Sequence, residues 1–238
     1  MLELYQSHPY QKSVHTRVVE TMTMKKKPAV SLADNLLYPG GGGQPCDTGT
    51  LRLSDGRSVA ITRVVKFSGK PFALLADDVT ITAGDEVEVT IDWDRRYRLM
   101  RYHTASHVLM GALAKVLIRY APKGIEIAED GSSSTIKFEG EWSGDNTAAL
   151  AQVDAANRVI AEGRDVTVRE FASLDDAVRE FGSLFRGQVE IKGPVSIVVI
   201  DKWDANPCGG THVANVREIG PMTLLEWAPD RLVFRLGA

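Results

Sequence analysis

At 238 residues, with two cysteines and a formal net charge of −3, the sequence can bury a core and has room for two domains. That balance speaks against a disulfide framework and against indiscriminate nucleic-acid binding, leaving only local basic runs at Lys25-Lys26-Lys27 and at Arg95, Arg96, Arg98 and Arg101. No run is long and apolar enough to span a bilayer, and the start Met1-Leu2-Glu3-Leu4-Tyr5-Gln6 lacks the basic and apolar regions of a secretory signal, so the cytoplasm is the expected compartment.

The first ninety or so residues read as short strands broken by turns, with no convincing helix. Residues 58–67 and 72–75 are strand-like around Ser68-Gly69-Lys70-Pro71, and Asp55-Gly56 marks a hairpin turn. Val87, Val89 and Ile91 alternate with Glu86, Glu88 and Thr90, the pattern of a half-buried strand. Many short strands at close spacing predict a small β-barrel or sandwich. From about 94 to 118 the period becomes helical, with His103, His107, Met110, Ala114 and Leu117 on one face and Ala121-Pro122-Lys123-Gly124 as the stop. Residues 134–138 then read as a strand, 146–161 as a helix with Asp145 near its cap and Gly163 past its end, 166–169 as a strand and 174–181 as a short helix. The β-branched run 195–200 suits a central strand, and 222–227 with 232–236 form a closing hairpin around Pro229-Asp230. The predicted class is α+β, with a β-barrel domain over residues 1–92 and a second, α+β domain over 93–238.

The chemistry concentrates in two short segments, His103-Thr104-Ala105-Ser106-His107 and Cys208-Gly209-Gly210-Thr211-His212, which hold three of the five histidines and one of the two cysteines. Residues four apart on a helix project from nearly the same side, so His103 and His107 can chelate one ion. Glycines at 209 and 210 permit a tight turn that brings Cys208 to His212. Imidazoles with one thiolate suit zinc among the common metals. Four protein ligands would close a tetrahedral site and three would leave a place for water or substrate; the residues alone leave that open. A metalloprotease helix needs glutamate directly after its first histidine, and position 104 is threonine. The run Gly40–Gly43 lacks the lysine and the following helix of a phosphate loop, so no nucleotide cofactor is expected.

Three ordered motifs, spread over most of the chain, resemble the editing domain of alanyl-tRNA synthetase and its AlaX-type free-standing relatives. The stretch Asp92-Trp93-Asp94-Arg95-Arg96-Tyr97-Arg98-Leu99-Met100-Arg101-Tyr102-His103 resembles the family's approach to its histidine pair. Cys208-Gly209-Gly210-Thr211-His212 resembles its second ligand motif, and Tyr38-Pro39-Gly40-Gly41-Gly42-Gly43-Gln44-Pro45-Cys46-Asp47-Thr48-Gly49 the glycine-rich motif of the preceding domain; Glu218-Ile219-Gly220-Pro221 matches near the end. Cys46 and Gly41 depart from the family's usual residues, and Cys46 becomes a rival ligand if it lies near the metal. The resemblance implies the second-additional-domain fold of the threonyl and alanyl synthetases, zinc, and hydrolysis of mischarged alanine tRNA, chiefly the seryl and possibly the glycyl ester. Threonine tRNA is the nearest rival substrate, and a zinc-stabilised tRNA-binding module without turnover the rival class.

A hydrolytic site that demands a hydrogen bond from the serine hydroxyl rejects alanine by leaving buried polar groups unpaired. Candidate readers are Gln44 and the run Ser132, Ser133, Ser134 and Thr135. Zinc is expected on His103, His107, Cys208 and His212, with Asp201 a candidate base at the end of the 195–200 strand. Arg95, Arg98 and Arg101, spaced three apart before His103, are the expected contacts to tRNA phosphates.

Overall fold

The computed structural model describes residues 2–76, 79–116, 121–139, 146–185 and 191–237. It divides into two compact units, Met1–Gly41 with Pro45–Tyr97, and Gly42–Gln44 with Arg98–Ala238.

The first unit opens on one helical turn, α1 (Leu4–Ser7), and is built on six strands: β1 (Ser13–Met24), β2 (Lys27–Leu32), β3 (Gly49–Leu53), β4 (Ser58–Phe67), β5 (Lys70–Leu75) and β6 (Glu86–Ile91). They close into an antiparallel barrel in the order β1-β2-β5-β4-β3-β6, so no strand edge is left bare. Alternation drives the closure: in β6, Val87, Val89 and Ile91 turn inward while the residues between them face out. Val18, Val30, Leu51, Ile61, Val64 and Leu75 meet them in the core, together with Cys46. Register shifts near Val18 and Ile61 mark bulges that bend the two longest strands around the barrel.

Arg96, from the basic run at 95–101, is not a surface charge. It is 0% exposed and its guanidinium grips the Asp47 carboxylate, with Nε at 2.9 Å from Oδ1. Its Nη2 also donates to Leu36 O at 2.8 Å, and Asp47 Oδ2 accepts the Tyr38 N–H at 2.6 Å. A planar fork with five donors suits such a buried pair better than a lysine would.

The second unit is organised around the helix α2 (Trp93–Val116), whose residues from Arg98 onward belong to it. One sheet has the order β11-β10-β9, from β9 (Val166–Phe171), β10 (Val195–Ile200) and β11 (Asp204–Pro207), and places the apolar β10 in the middle as its composition predicts. The other has the order β12-β13-β8-β7, from β7 (Ala121–Ile127), β8 (Ser134–Glu139), β12 (Met222–Ala228) and β13 (Arg231–Leu236). The helix α3 (Asn146–Glu162) docks through Asn157, whose amide both donates to Met222 O and accepts the Met222 N–H. The short α4 (Leu174–Phe181) is capped by Ser173 and packs Ala177 against Val195, Ile197 and Ala205.

Two expectations change here. Residues 121–124 are not a helix stop but the start of β7. This strand is an edge of its sheet and shifts register between Pro122 and Gly124, which is where a sheet tolerates proline. Helix α2 lacks the single apolar face expected of it: residues 102–109 are buried on every side, whereas Met110 and Ala114 are half-buried. Elements pack on it from opposite directions. Tyr102 stacks near Phe234 and Ser106 meets Ser134, while the indole of Trp203 donates to Val108 O at 3.0 Å. Leu117 and Asp145 lie outside the described residues.

Candidate metal centre

One ligand atom from each of His103, His107, Cys208 and His212 lies within 4.8 Å of the others. The histidine pair comes from the buried middle of α2; the other two residues follow β11 on a turn. Cys208 Sγ stands 3.4 Å from His103 Nε2 and 3.4 Å from His212 Nε2. Metal bond lengths near 2.0 and 2.3 Å imply about 3.5 Å between nitrogen and sulfur ligands on one tetrahedral zinc. The turn depends on Gly210, where an added Cβ would lie 2.2 Å from His103 Cε1.

Hydrogen bonds fix which ring nitrogen of His103 and of His212 faces the thiol. Gln44 Oε1 accepts the Thr211 N–H at 3.1 Å, and the same oxygen lies 2.7 Å from His103 Nδ1. An acceptor oxygen requires the proton on Nδ1, so His103 presents the Nε2 lone pair to Cys208. Thr104 spends its one hydroxyl proton on Met100 O at 3.0 Å. At 3.1 Å from His212 Nδ1 it therefore accepts, and His212 also turns a bare Nε2 to the sulfur. His107 Nδ1 faces the carboxylate of Asp204, with Oδ2 at 3.6 Å. Each ring thus has an oxygen behind it, the arrangement that orients metal-ligating histidines.

Charge in the cluster is balanced internally. Burial pushes the Cys208 thiol up, but His103 and His212 beside it prevail and hold it well below the usual thiol range. Burial disfavours charge on His107, yet Asp204 and Cys208 overcome it and lift this ring to about 10. Burial, reinforced by His103, pushes His212 down to about 3 against the pull of Cys208. A thiolate beside an imidazolium is a pairing that a divalent cation replaces when it displaces the proton. The donor set, its spacing and its oriented rings fit zinc.

The other candidates fall elsewhere. Gln44 is buried and fully engaged, its Nε2 donating to Thr211 Oγ1 at 2.8 Å, so it joins the histidine helix to the ligand turn. The glycine-rich loop delivers it: Gly43 has φ +83, and a Cβ there would strike Ile125 O at 2.0 Å. Asp201 is exposed and lies 3.8 Å from Lys202; the carboxylate at the cluster is Asp204. Thr135 is half-buried on β8 opposite Val233, whereas its neighbour Ser134 is buried with Oγ 3.1 Å from Ser106 Oγ. Arg98 is exposed and donates to Asp130 O at 3.0 Å. Arg101 is committed to Ile219 O at 2.8 Å and Gly237 O at 2.7 Å. Arg95, in the first unit, donates to Cys46 O at 3.1 Å. Cys46 itself belongs to the barrel core and not to the ligand group. The sequence reading missed Asp204 and the accepting role of Thr104. An acid four residues before Cys208 was the available signal for the first, and a hydroxyl beside His103 for the second.

Residues 195–233, which include β10, β11 and the ligand turn, match the family described as the threonyl and alanyl tRNA synthetase second additional domain. The chain is 32% identical to the alanine–tRNA ligase of Pyrococcus abyssi over 98% of its own length and 26% of the ligase. The ligase of Thermococcus kodakarensis is similar at 32% identity, with 25% of it covered. Against the alanyl-tRNA editing protein AlaX-L of Pyrococcus horikoshii the identity is 28%, over 94% of this chain and 54% of that protein. The chain is a homologue of the alanine–tRNA ligases and of AlaX-L. It spans about a quarter of the ligases' length and about half of AlaX-L. The α+β class and the second-additional-domain fold expected from its motifs both hold for this homologue. No helix among the described residues is long and apolar enough to cross a membrane.

Proposed function

We propose that the chain is a zinc-dependent aminoacyl-tRNA deacylase that hydrolyses mischarged alanine tRNA, chiefly the seryl and also the glycyl ester. The observation that carries this reading is the His103, His107, Cys208 and His212 cluster, with its rings oriented for one ion, in a homologue of an alanyl-tRNA editing protein. Cys208 is the half-buried member beside the exposed Gly209, while the three imidazoles are buried, so an incoming ester meets the thiol side first. Zinc bound there would supply Lewis acidity for water or an anchor for the amino acid's amine. The chain's own part is to hold the rings through Gln44, Thr104 and Asp204 and to keep bulk water from their faces. Exposure of Arg98 on α2 supports its role as a contact to tRNA phosphate, and a tRNA substrate implies work in the cytoplasm.

One observation favours a second reading. Four protein donors are the number that closes a structural zinc site, and such a site would staple a tRNA-binding module without turnover. The separating experiment offers seryl-, glycyl- and alanyl-charged alanine tRNA, with threonine tRNA as control, to the protein with and without chelator and to His103→Ala. Deacylation that disappears on chelation while circular dichroism is retained supports the hydrolase. Tight tRNA binding with no hydrolysis at any zinc level supports the staple.

A further inference from the structure

The oxygens behind the three imidazoles differ in kind. Gln44 offers a neutral amide oxygen to His103 and Thr104 a neutral hydroxyl to His212; Asp204 offers His107 a carboxylate. Asp204 is 1% exposed, and a carboxylate at that depth is costly unless its charge is used. Its place is set from two directions. Trp203, the residue before it, donates its indole N–H to Val108 O at 3.0 Å, which ties the β10–β11 turn to α2 one residue from His107. Asn206 Nδ2 donates to Asp204 Oδ2 at 2.5 Å, holding the carboxylate that stands 3.6 Å from His107 Nδ1. That ring nitrogen is buried and makes no hydrogen bond, just beyond reach of the oxygen facing it.

We propose that Asp204 is a positioning residue of the metal centre: through Nδ1 it orients His107 and makes that ring the strongest of the three imidazole donors, so retention of the ion depends on Asp204 more than on Gln44 or Thr104. The inference rests on the reading that the cluster holds zinc. A carboxylate behind a ligating imidazole raises its basicity as well as fixing its tautomer, and removing such a partner weakens metal binding by about 10- to 100-fold. An amide or hydroxyl fixes the tautomer without adding charge. A purely structural Asp204, serving the β10–β11 turn through Asn206, would leave ion affinity alone.

The test measures the zinc dissociation constant of the full chain by competition with a chromophoric chelator, for wild type, D204N, Gln44→Ala and Thr104→Val. Thermal melting is followed on each with and without zinc. D204N, which keeps shape and loses charge, is expected to bind zinc about 10- to 100-fold more weakly than wild type, a larger loss than either other variant shows. Its melting temperature without zinc should fall somewhat, because buried His107 loses the carboxylate facing it, and the rise on adding zinc should shrink. Should D204N not fold, Asn206→Ala frees the carboxylate from its clamp and should weaken zinc binding several-fold. Wild-type affinity in the folded variant overturns the role of Asp204, as does a loss no larger than in the other two. A wild-type protein that binds no zinc overturns the reading beneath it as well.

Discussion

At the scale of single residues, an acceptor oxygen behind His103 and another behind His212 each force a tautomer. Position 104 shows how: threonine is read from the sequence as a missing glutamate, yet its hydroxyl donates to Met100 O and so must accept from His212. The charges carry a pH dependence with a definite sign. His107 holds its proton up to about 10 and the Cys208 thiol releases its own well below the usual range, so at neutral pH an entering ion must expel a proton from His107. Zinc binding is therefore predicted to release about one proton per ion near pH 7.5 and to weaken as pH falls. Calorimetry in buffers of different ionisation enthalpy checks this, and an ion that enters without proton release contradicts it. The clustering of His103, His107, Cys208 and His212 was legible in the sequence because residue type and spacing alone mark it. Asp204 was not, because its part depends on a β10–β11 turn that carries it back against α2.

At the scale of elements, the arginines of α2 separate by what they touch. Arg98 is exposed and bonds a single carbonyl, whereas Arg101 brackets Ile219 and Gly237 near the end of the chain. Charge reversal at Arg98 should weaken tRNA binding and flatten its salt dependence by about one counterion, with little change in melting temperature. Arg101→Ala should instead cost about 1.5–3 kcal/mol of stability, the worth of hydrogen bonds from a charged donor. Equal tRNA affinity in the Arg98 variant would remove that residue from the interface. Arg96 is a different case again: Asp47→Ala leaves its guanidinium buried without its carboxylate and should destabilise the first unit by about 3–5 kcal/mol, read by denaturant titration. Helix existence was legible in the period of 94–118, but the buried face was not. A helix covered from two sides carries no single apolar stripe, and His103, Thr104, Ser106 and His107 lie inside it as polar residues whose partners are distant in sequence.

At the scale of the whole molecule, the barrel was legible from short alternating strands and the mixed second unit from its change of period. The strands β1 and β2 were recognisable only as part of a general β pattern, and the edge strand β7 was hidden by Pro122 and Gly124. The ligand pairs are joined only through the fold of the second unit, so an ion that binds all four should also stabilise it by mass action. The most direct measurement is the rate of deacylation of seryl-charged alanine tRNA as zinc is titrated back into chelated protein, beside His103→Ala. The account predicts a rate that rises from background, saturates at one zinc per chain and stays at background in the variant. Full hydrolysis by the chelated protein, or by His103→Ala, would contradict it.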